Sequence, residues 1–171
     1  MVSATKFDDA TCGALSPDGS TLVVGTERNK LCFFTVAGEK LEPSGEYTEH
    51  AAAVTAITFS DDGALMATGD ARAAGGNIIV WALDGGVPTV KSTGWVFHTS
   101  RVTGLAFSAD AKHLISSSMD CSIFVHCTDG SKRVQYKNVH EDGVQALCWL
   151  NPGTIATGGS EGTLRLWNYA A

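Results

Sequence analysis

Short apolar runs separated by turns rich in glycine and aspartate recur along the whole chain. The runs 54–59 and 102–107 each begin with valine and end with phenylalanine, and a serine- and aspartate-containing turn follows each of them. Runs of this length bounded by Gly and Asp predict β-strands joined by tight turns. The predicted strands are 11–15, 21–25, 30–34, 54–59, 65–68, 77–81, 89–91, 102–107, 113–117, 121–126, 144–149, 154–157 and 163–167.

The strand pattern repeats at a nearly constant spacing. Related four-residue turns begin at residues 16, 60, 108 and 150, which places them 44, 48 and 42 residues apart. Short strands at a period of about 40–45 residues are typical of WD-repeat propeller blades. The sequence therefore predicts an all-β fold with about four WD-repeat blades, a partial propeller with repeats at about 7–47, 48–94, 95–137 and 138–171. Only two alanines follow Tyr169, so we expect the last blade to lack its outer strand.

Composition narrows the class of partner. The 171 residues are 44% hydrophobic and 18% charged, with a net charge of −6, which argues against a phosphate-binding surface. The longest mainly apolar run, 51–59, is about half of a bilayer span, and no apolar signal region opens the chain. An odd count of five cysteines without a CxxC pair favours reduced thiols. We expect a soluble, cytoplasmic protein that binds neither nucleic acid nor membrane.

Histidine, aspartate and serine recur at a fixed spacing in the third repeat. His98, Asp120 and the serines 116–118 are the residue types of a hydrolase triad. In a WD blade the same types have a structural role, in which the His bonds the turn Asp and a strand hydroxyl and so satisfies buried polar groups. The structural interpretation is the one we adopt, with a hydrolase using His98 and Asp120 as the remote alternative.

The other repeats carry this pattern in weaker form. The fourth has His140, Glu161 and Trp167, and the second has His50 and Trp81 with Gly75 at the position of the turn acid. The first repeat has no such His, and Arg28 and Phe34 occupy the equivalent positions. Variation of this kind suits a scaffold better than an active site. We therefore predict structural roles for His98, Asp120, His140, Trp81 and Trp167.

No cofactor or metal site is predicted. Cys121 and Cys127 are six residues apart on one predicted strand, so their backbones would lie roughly 20 Å apart, too far for a shared zinc ion. His126 and Cys127 are adjacent and would point to opposite faces of that strand. The glycine pairs at 75–76 and 158–159 lack the spacing and the following helix of a phosphate-binding loop.

The loops that hold the His and the turn acid share one face of a propeller. Exposed side chains in these loops form a candidate partner-binding surface, which we call the rim. The rim residues are Glu27, Arg28, Arg72, Arg101, Met119, Glu141 and Asp142.

Longer stretches of the chain resemble one family. The segments 95–102, 107–114, 118–125 and 138–150 follow one another in the order found in the carboxy-terminal blades of the actin-interacting protein 1 family. Upstream, residues 16–34 and 54–71 are similar to the preceding blades, and the ending at 164–169 is similar to that of the family. The resemblance covers residues from about 11 to 169.

The resemblance implies a cytoplasmic, non-enzymatic regulator of the actin cytoskeleton that binds actin filaments and works with cofilin to disassemble them. It also implies two joined seven-bladed propellers, of which this chain supplies about four blades, so no actin-contact residue is carried over. A WD-repeat adaptor subunit of another complex, such as a ubiquitin ligase or a trafficking coat, is the alternative. Because blade edges would be open at the ends of a four-blade arc, we also expect the isolated chain to self-associate, to aggregate, or to need the rest of a propeller to fold.

Overall fold

The computed structural model describes residues 6–84 and 87–170. Within these ranges the chain forms fifteen β-strands and no α-helix, and none of its elements is a helix able to span a membrane. The strands are β1 Ala10–Leu15, β2 Thr21–Thr26, β3 Leu31–Ala37, β4 Lys40–Tyr47, β5 Val54–Phe59, β6 Leu65–Asp70, β7 Asn77–Ala82, β8 Thr89–Val96, β9 Val102–Phe107, β10 His113–Ser118, β11 Ile123–Cys127, β12 Arg133–Tyr136, β13 Val144–Asn151, β14 Thr154–Gly159 and β15 Leu164–Asn168.

The strands form four separate antiparallel sheets, each a simple meander. Blade 1 contains β1–β4, blade 2 contains β5–β8, blade 3 contains β9–β12, and blade 4 contains β13–β15 with no fourth strand among the described residues. The first strands of neighbouring blades contact each other and line the inside of the arc. The predicted all-β partial propeller of about four blades is confirmed.

Most predicted strands match the observed ones, and the differences have local causes. Strand β11 begins at Ile123 rather than at residue 121, because Cys121 adopts a left-handed backbone conformation (φ 64°) in the preceding turn. The outer strands β4 and β12 were not predicted. Both are mostly polar and exposed, so they lack the apolar run that marks the inner strands.

Each sheet has a forward face toward the next blade and a rear face toward the preceding one. On the forward faces, the second and third strands place Val23, Gly25, Leu31 and Phe33 in blade 1, Ala67, Gly69, Ile78 and Val80 in blade 2, Ile115, Ser117, Ile123 and Val125 in blade 3, and Ala156, Gly158, Leu164 and Leu166 in blade 4. On the rear faces, the first strands place Ala10, Gly13 and Leu15 in blade 1, Val54, Ile57 and Phe59 in blade 2, Val102, Leu105 and Phe107 in blade 3, and Val144, Leu147 and Trp149 in blade 4.

Three apolar clusters fill the gaps between consecutive blades, and each joins one forward face to the next rear face. Small residues allow the blades to approach closely: a Cβ added to Gly69 would lie 2.6 Å from Cγ1 of Val102. Threonine hydroxyls add polar links, since Thr55 donates to the Val102 carbonyl at 2.7 Å and Thr11 donates to the Val54 carbonyl. The core of this protein therefore lies between blades rather than within them.

The two ends of the arc differ. On the rear face of blade 1, the ring of Phe7 packs edge-on against Phe34 with the centroids 5.4 Å apart, and Phe34 is buried. On the forward face of blade 4, Leu164 is 88% exposed and Leu166 is 67% exposed. One end thus has an apolar cover over part of its face, whereas the other presents leucines to solvent.

Candidate functional site

A buried chain of hydrogen bonds joins the second and third strands of blade 2 to the loop before its first strand. Trp81 donates its indole N–H to Thr68 Oγ1 at 2.9 Å, and Thr68 Oγ1 lies 2.7 Å from His50 Nε2. His50 Nδ1 lies 3.1 Å from Asp70 Oδ2. A consistent set of donors results when Thr68 donates to Nε2 and the Nδ1–H of a neutral His50 donates to the carboxylate.

Blade 3 has the same arrangement with a different first donor. His98 Nδ1 lies 3.1 Å from Asp120 Oδ2, and His98 Nε2 lies 2.9 Å from Ser116 Oγ. Ser116 Oγ is in turn 3.0 Å from His126 Nε2, at the position where blade 2 has its tryptophan. His126 therefore supplies an N–H in place of the indole, and its ring stacks on Trp95 with the centroids 4.9 Å apart.

Blade 4 contains the same type of network, with the glutamate Glu161 in place of the aspartate. Trp167 donates to Thr157 Oγ1 at 2.9 Å, His140 Nε2 lies 2.8 Å from the same oxygen, and His140 Nδ1 bonds Glu161. One Glu161 oxygen, Oε2, is buried without a hydrogen-bond partner. The longer glutamate thus satisfies the histidine but leaves part of its own carboxylate unpaired.

The position predicted for the turn acid of blade 2 is wrong. The acid is Asp70, the last residue of β6, rather than the position of Gly75. The loop 71–76 is longer than its counterparts, so counting back from the third strand shifted the alignment by five residues. Gly75 instead lies with φ 122° against the carbonyl of His98, where an added Cβ would be 2.5 Å from that oxygen. Its role is close packing on the loop of blade 3.

The networks set the charge states of their acids. Burial raises the pKa of Asp120, but hydrogen bonds from His98 and Ser122 outweigh it and hold that pKa well below the usual range. The same balance between burial and bonds from His50, Asn77 and Arg72 lowers the pKa of Asp70. Hydrogen bonds from Thr163 and His140 lower the pKa of Glu161 to about 2. All three acids are therefore anionic at neutral pH.

The residue types of a hydrolase triad thus lie close together in blade 3, but they are buried. The side chain of His98 has no exposed surface, and Ser116 is fully buried. Burial also lowers the pKa of His126 to about 3, so this second histidine is neutral. The Ser116 hydroxyl lies between two imidazoles and has no free path to a substrate in this structure.

The described residues hold no cluster of three or more His, Cys, Asp or Glu side chains placed to bind a metal ion. All five cysteines are unpaired. In the folded chain, Cys121 lies in a turn and its Sγ contacts the carbonyl of Glu141 at 3.4 Å, while Cys127 ends β11. These two thiols belong to different parts of the blade.

The rim residues all lie at one end of the sheets, where second strands turn into third strands and where one blade is linked to the next. Arg101 and Met119 are joined by a backbone hydrogen bond of 3.3 Å, and Met119 Sδ lies 3.3 Å from the side-chain amide of Gln145. Arg28 lies 3.6 Å from Asp9. Every rim residue except the half-buried Met119 is exposed, so the structure places charged and polar groups at this end.

At the opposite end of the sheets, four aspartates are bonded within their own turns. Asp18, Asp62, Asp110 and Asp129 each accept hydrogen bonds from the turn two residues away, and these bonds lower their pKa values, that of Asp18 to about 2. Such bonds hold tight turns together. Open grooves of about 530 Å³ and about 480 Å³ lie between blades 1 and 2 and between blades 3 and 4 at this end.

Sequence matches agree with this architecture. The family model described as "WD domain, G-beta repeat" matches residues 41–82, 91–126 and 131–168. This chain belongs to the WD-repeat family. Each matched WD repeat begins with the outer strand of one blade and ends with the third strand of the next, so sequence repeats and blades are offset by one strand.

Relatives refine the place of the chain within the WD-repeat family. It is 31% identical over 166 residues to the 66 kDa stress protein of Physarum polycephalum, a match that covers 96% of this chain and 27% of that protein. It is 27% identical to actin-interacting protein 1 of Caenorhabditis elegans over 94% of this chain and 26% of that protein. The resemblance to actin-interacting protein 1 is confirmed, and the chain spans about a quarter of the length of these relatives.

The solved structure of the RRP9 WD40 repeats has the same fold. It superposes with a TM-score of 0.80 at 24% identity, covering 97% of this chain and 49% of the other. The four blades described here therefore correspond to about half of that structure.

Several residues of the networks were missed from the sequence. Thr68, Thr157 and His126 have no individual motif, and Asp70 was displaced by the long loop. A signal existed for His126, because strand alignment places it at the position of Trp81 and Trp167. His126 was considered only as a candidate metal ligand beside Cys127, and its role as a buried donor was not predicted.

Proposed function

We propose that this chain is a non-catalytic protein-interaction scaffold that binds actin filaments and acts with cofilin. The observation that carries the proposal is the extent of the similarity, since relatives named actin-interacting protein 1 align over more than nine tenths of this chain. The alignment therefore involves all four blades rather than one generic repeat. The sealed histidine networks support the non-catalytic part, because their polar groups are used within the blades.

We propose the rim as the contact surface. Its charged side chains are exposed in loops, and Arg72 and Arg101 have no acidic partner within 4.0 Å among the described residues. Arginine is enriched in protein interfaces because its planar fork bonds carboxylates and its stem packs on apolar groups. At the opposite end, the aspartates are already engaged in their own turns.

Co-sedimentation with actin filaments, with and without cofilin, tests both parts of the proposal. We expect the chain to pellet with filaments, and the double variant Arg72→Glu, Arg101→Glu to weaken binding at least about tenfold by reversing two contact charges. The matched control is Lys112→Glu, Lys132→Glu, which makes the same charge change on exposed residues at the opposite end. No pelleting would contradict actin binding, and equal loss in both variants would contradict the rim.

The chain covers about a quarter of its relatives, so we propose that it binds filaments without accelerating their disassembly by cofilin at the rate of a full-length relative. Filament-severing counts by fluorescence microscopy measure this directly. Severing at the full-length rate would show that these four blades hold the whole activity.

A further inference from the structure

A groove lies between blades 1 and 2 at the end of the sheets opposite the rim. Its volume of about 530 Å³ is within the range of about 300–1,000 Å³ that is usual for sites that bind a ligand. One wall is the forward face of blade 1 and the other is the rear face of blade 2. Both walls belong to consecutive blades of this chain, so the groove does not depend on what covers either end of the arc.

One position in the second strand of each blade determines how much space is left there. Thr21 in blade 1, Leu65 in blade 2 and His113 in blade 3 are equivalent, because the backbone N–H of each donates to the hydroxyl of the serine that begins its turn. Leu65 is buried and belongs to the apolar cluster between blades 2 and 3. Thr21 and His113 instead line grooves. A leucine thus fills the space that the shorter Thr21 leaves open.

The floor of the groove between blades 1 and 2 is apolar. Phe33 of β3 is buried in the cluster between these blades, and Phe59 at the end of β5 packs against the same cluster but is only partly buried. Both phenylalanines line the groove. Such a floor favours an aliphatic chain, because contact with it removes apolar surface from water.

Three carboxylates lie around this floor, and no lysine or arginine is among the described residues that line the groove. They belong to Asp18 of blade 1 and to Asp61 and Asp62 of blade 2, and all three residues are exposed. Hydrogen bonds within the turns lower the pKa values of Asp18 and Asp62, so both are anionic at neutral pH. The groove therefore combines an apolar floor with a negatively charged edge.

Asp61 is the exception among the aspartates at this end of the sheets. Its neighbour Asp62 accepts bonds from Ser60 and Ala64 through Oδ1, which leaves Oδ2 open. Asp61 has no hydrogen bond or ion pair within the described part of the chain. Acceptor oxygens for a cationic donor are thus available beside the apolar floor.

Arginine matches both features of the groove. Its planar guanidinium bonds carboxylates through two parallel hydrogen bonds, and its aliphatic stem packs on apolar surface. The net charge of −6 adds attraction for a basic partner. The groove between blades 3 and 4 is a poorer match, because two aspartates, Asp61 and Asp110, line it together with His113.

We propose that the groove between blades 1 and 2 binds an arginine-bearing segment of a partner protein. The guanidinium bonds Asp61 and Asp62, and the aliphatic stem lies over Phe33 and Phe59. The volume of the groove leaves room for an apolar side chain next to the arginine. Because the groove and the rim lie at opposite ends of the sheets, the inference is independent of actin binding.

Fluorescence anisotropy of a labelled peptide, Gly-Gly-Arg-Leu-Gly-Gly, tests the proposal on the whole chain. We expect saturable binding with a dissociation constant below about 1 mM. Citrulline in place of the arginine keeps the shape of the side chain but removes its charge, and it should raise the dissociation constant at least about tenfold. No saturable binding, or equal binding of the two peptides, would overturn the proposal.

Thr21→Leu tests the place of binding. It gives blade 1 the residue that blade 2 has at the equivalent position, and it should weaken binding at least about tenfold by filling the groove. The hydroxyl of Thr21 contacts only Ser20, at 3.4 Å, so we expect an unchanged melting temperature. His113→Leu is the matched control in the groove between blades 3 and 4, and it should leave binding unchanged. A loss with His113→Leu but not with Thr21→Leu would overturn the proposal.

Asp61→Asn tests the contribution of charge, since this exposed carboxylate has no bond in the fold to lose. We expect the dissociation constant to rise at least about fivefold. Glu42→Gln makes the same charge change on an exposed residue of β4 and should alter binding less than about twofold. Equal losses in the two variants would mean that the net charge of the chain attracts the peptide, which would contradict binding in the groove.

Discussion

Blades 2 and 4 contain the same polar network but differ in how well they are enclosed. In blade 2 the side chains of His50 and Asp70 have no exposed surface, whereas in blade 4 the Glu161 side chain retains 14% exposure. Blade 4 also has no outer strand among the described residues and has no blade on its forward face. The network still forms there, which shows that its geometry comes from within a blade, while the burial of the blade comes from its neighbours.

Removing the network histidine from blades 2, 3 and 4 in turn is the strongest test of this comparison. His50→Ala leaves an anionic Asp70 buried without its main partner, and we expect a loss of about 3 kcal/mol in the free energy of unfolding. His140→Ala should cost less, about 1–2 kcal/mol, because Glu161 can reach solvent. His98→Ala should lie at about 1–3 kcal/mol, since Asp120 is slightly exposed.

Denaturant titration measures these losses, with His113→Ala as the control for a histidine that packs on Tyr169 outside the networks. Equal losses for His50→Ala and His140→Ala would mean that enclosure by neighbouring blades does not set the strength of the network. A loss of a few tenths of a kcal/mol for His98→Ala would mean that its pair with Asp120 contributes nothing to stability.

A smaller effect on stability is expected from Glu161 of blade 4, and its dependence on pH identifies it. The pKa of Glu161 is lowered from 4.5 to about 2 in the folded state, so its contribution to stability is complete above pH 4.5 and is lost as the pH falls towards 2. We expect the wild type to be more stable than Glu161→Gln at pH 6, and the two stabilities to converge between pH 4.5 and 2. Urea titrations across this range decide it, and a constant difference would contradict the assigned bonds from Thr163 and His140.

The smallest effect concerns the turns at the opposite end of the sheets. Gly63 of blade 2 and Ala111 of blade 3 occupy the same turn with φ 70° and 55°, a region that strains any residue with a Cβ. Ala111→Gly should therefore stabilise the chain by about 0.5 kcal/mol, after the greater flexibility of glycine in the unfolded state is subtracted. Gly63→Ala is the matched opposite and should destabilise by about 1 kcal/mol. Thermal melting of both variants tests the pair, and shifts of the same sign would contradict the explanation.

The comparison also explains what the sequence could predict. Strand order, blade number and the pairing of His98 with Asp120 depend on residues within one repeat, and periodicity carries that information. Exposure of Leu164 depends on which blade follows, and its local sequence resembles that of buried Ile78. The position of Asp70 was lost because a loop insertion changes spacing without changing the sheet. Interactions within a repeat were thus partly accessible from sequence, with Asp70 and His126 as exceptions, and contacts between repeats required coordinates.

The one-strand offset between sequence repeats and blades bears on how the chain opens. The repeat at 91–126 starts in the outer strand of blade 2 and continues into blade 3, and the repeat at 131–168 joins blades 3 and 4 in the same way. Releasing one outer strand therefore loosens the start of the repeat that builds the following blade. Because apolar clusters also fill the gaps between consecutive blades, we expect local unfolding of an interior blade to loosen the blades packed beside it.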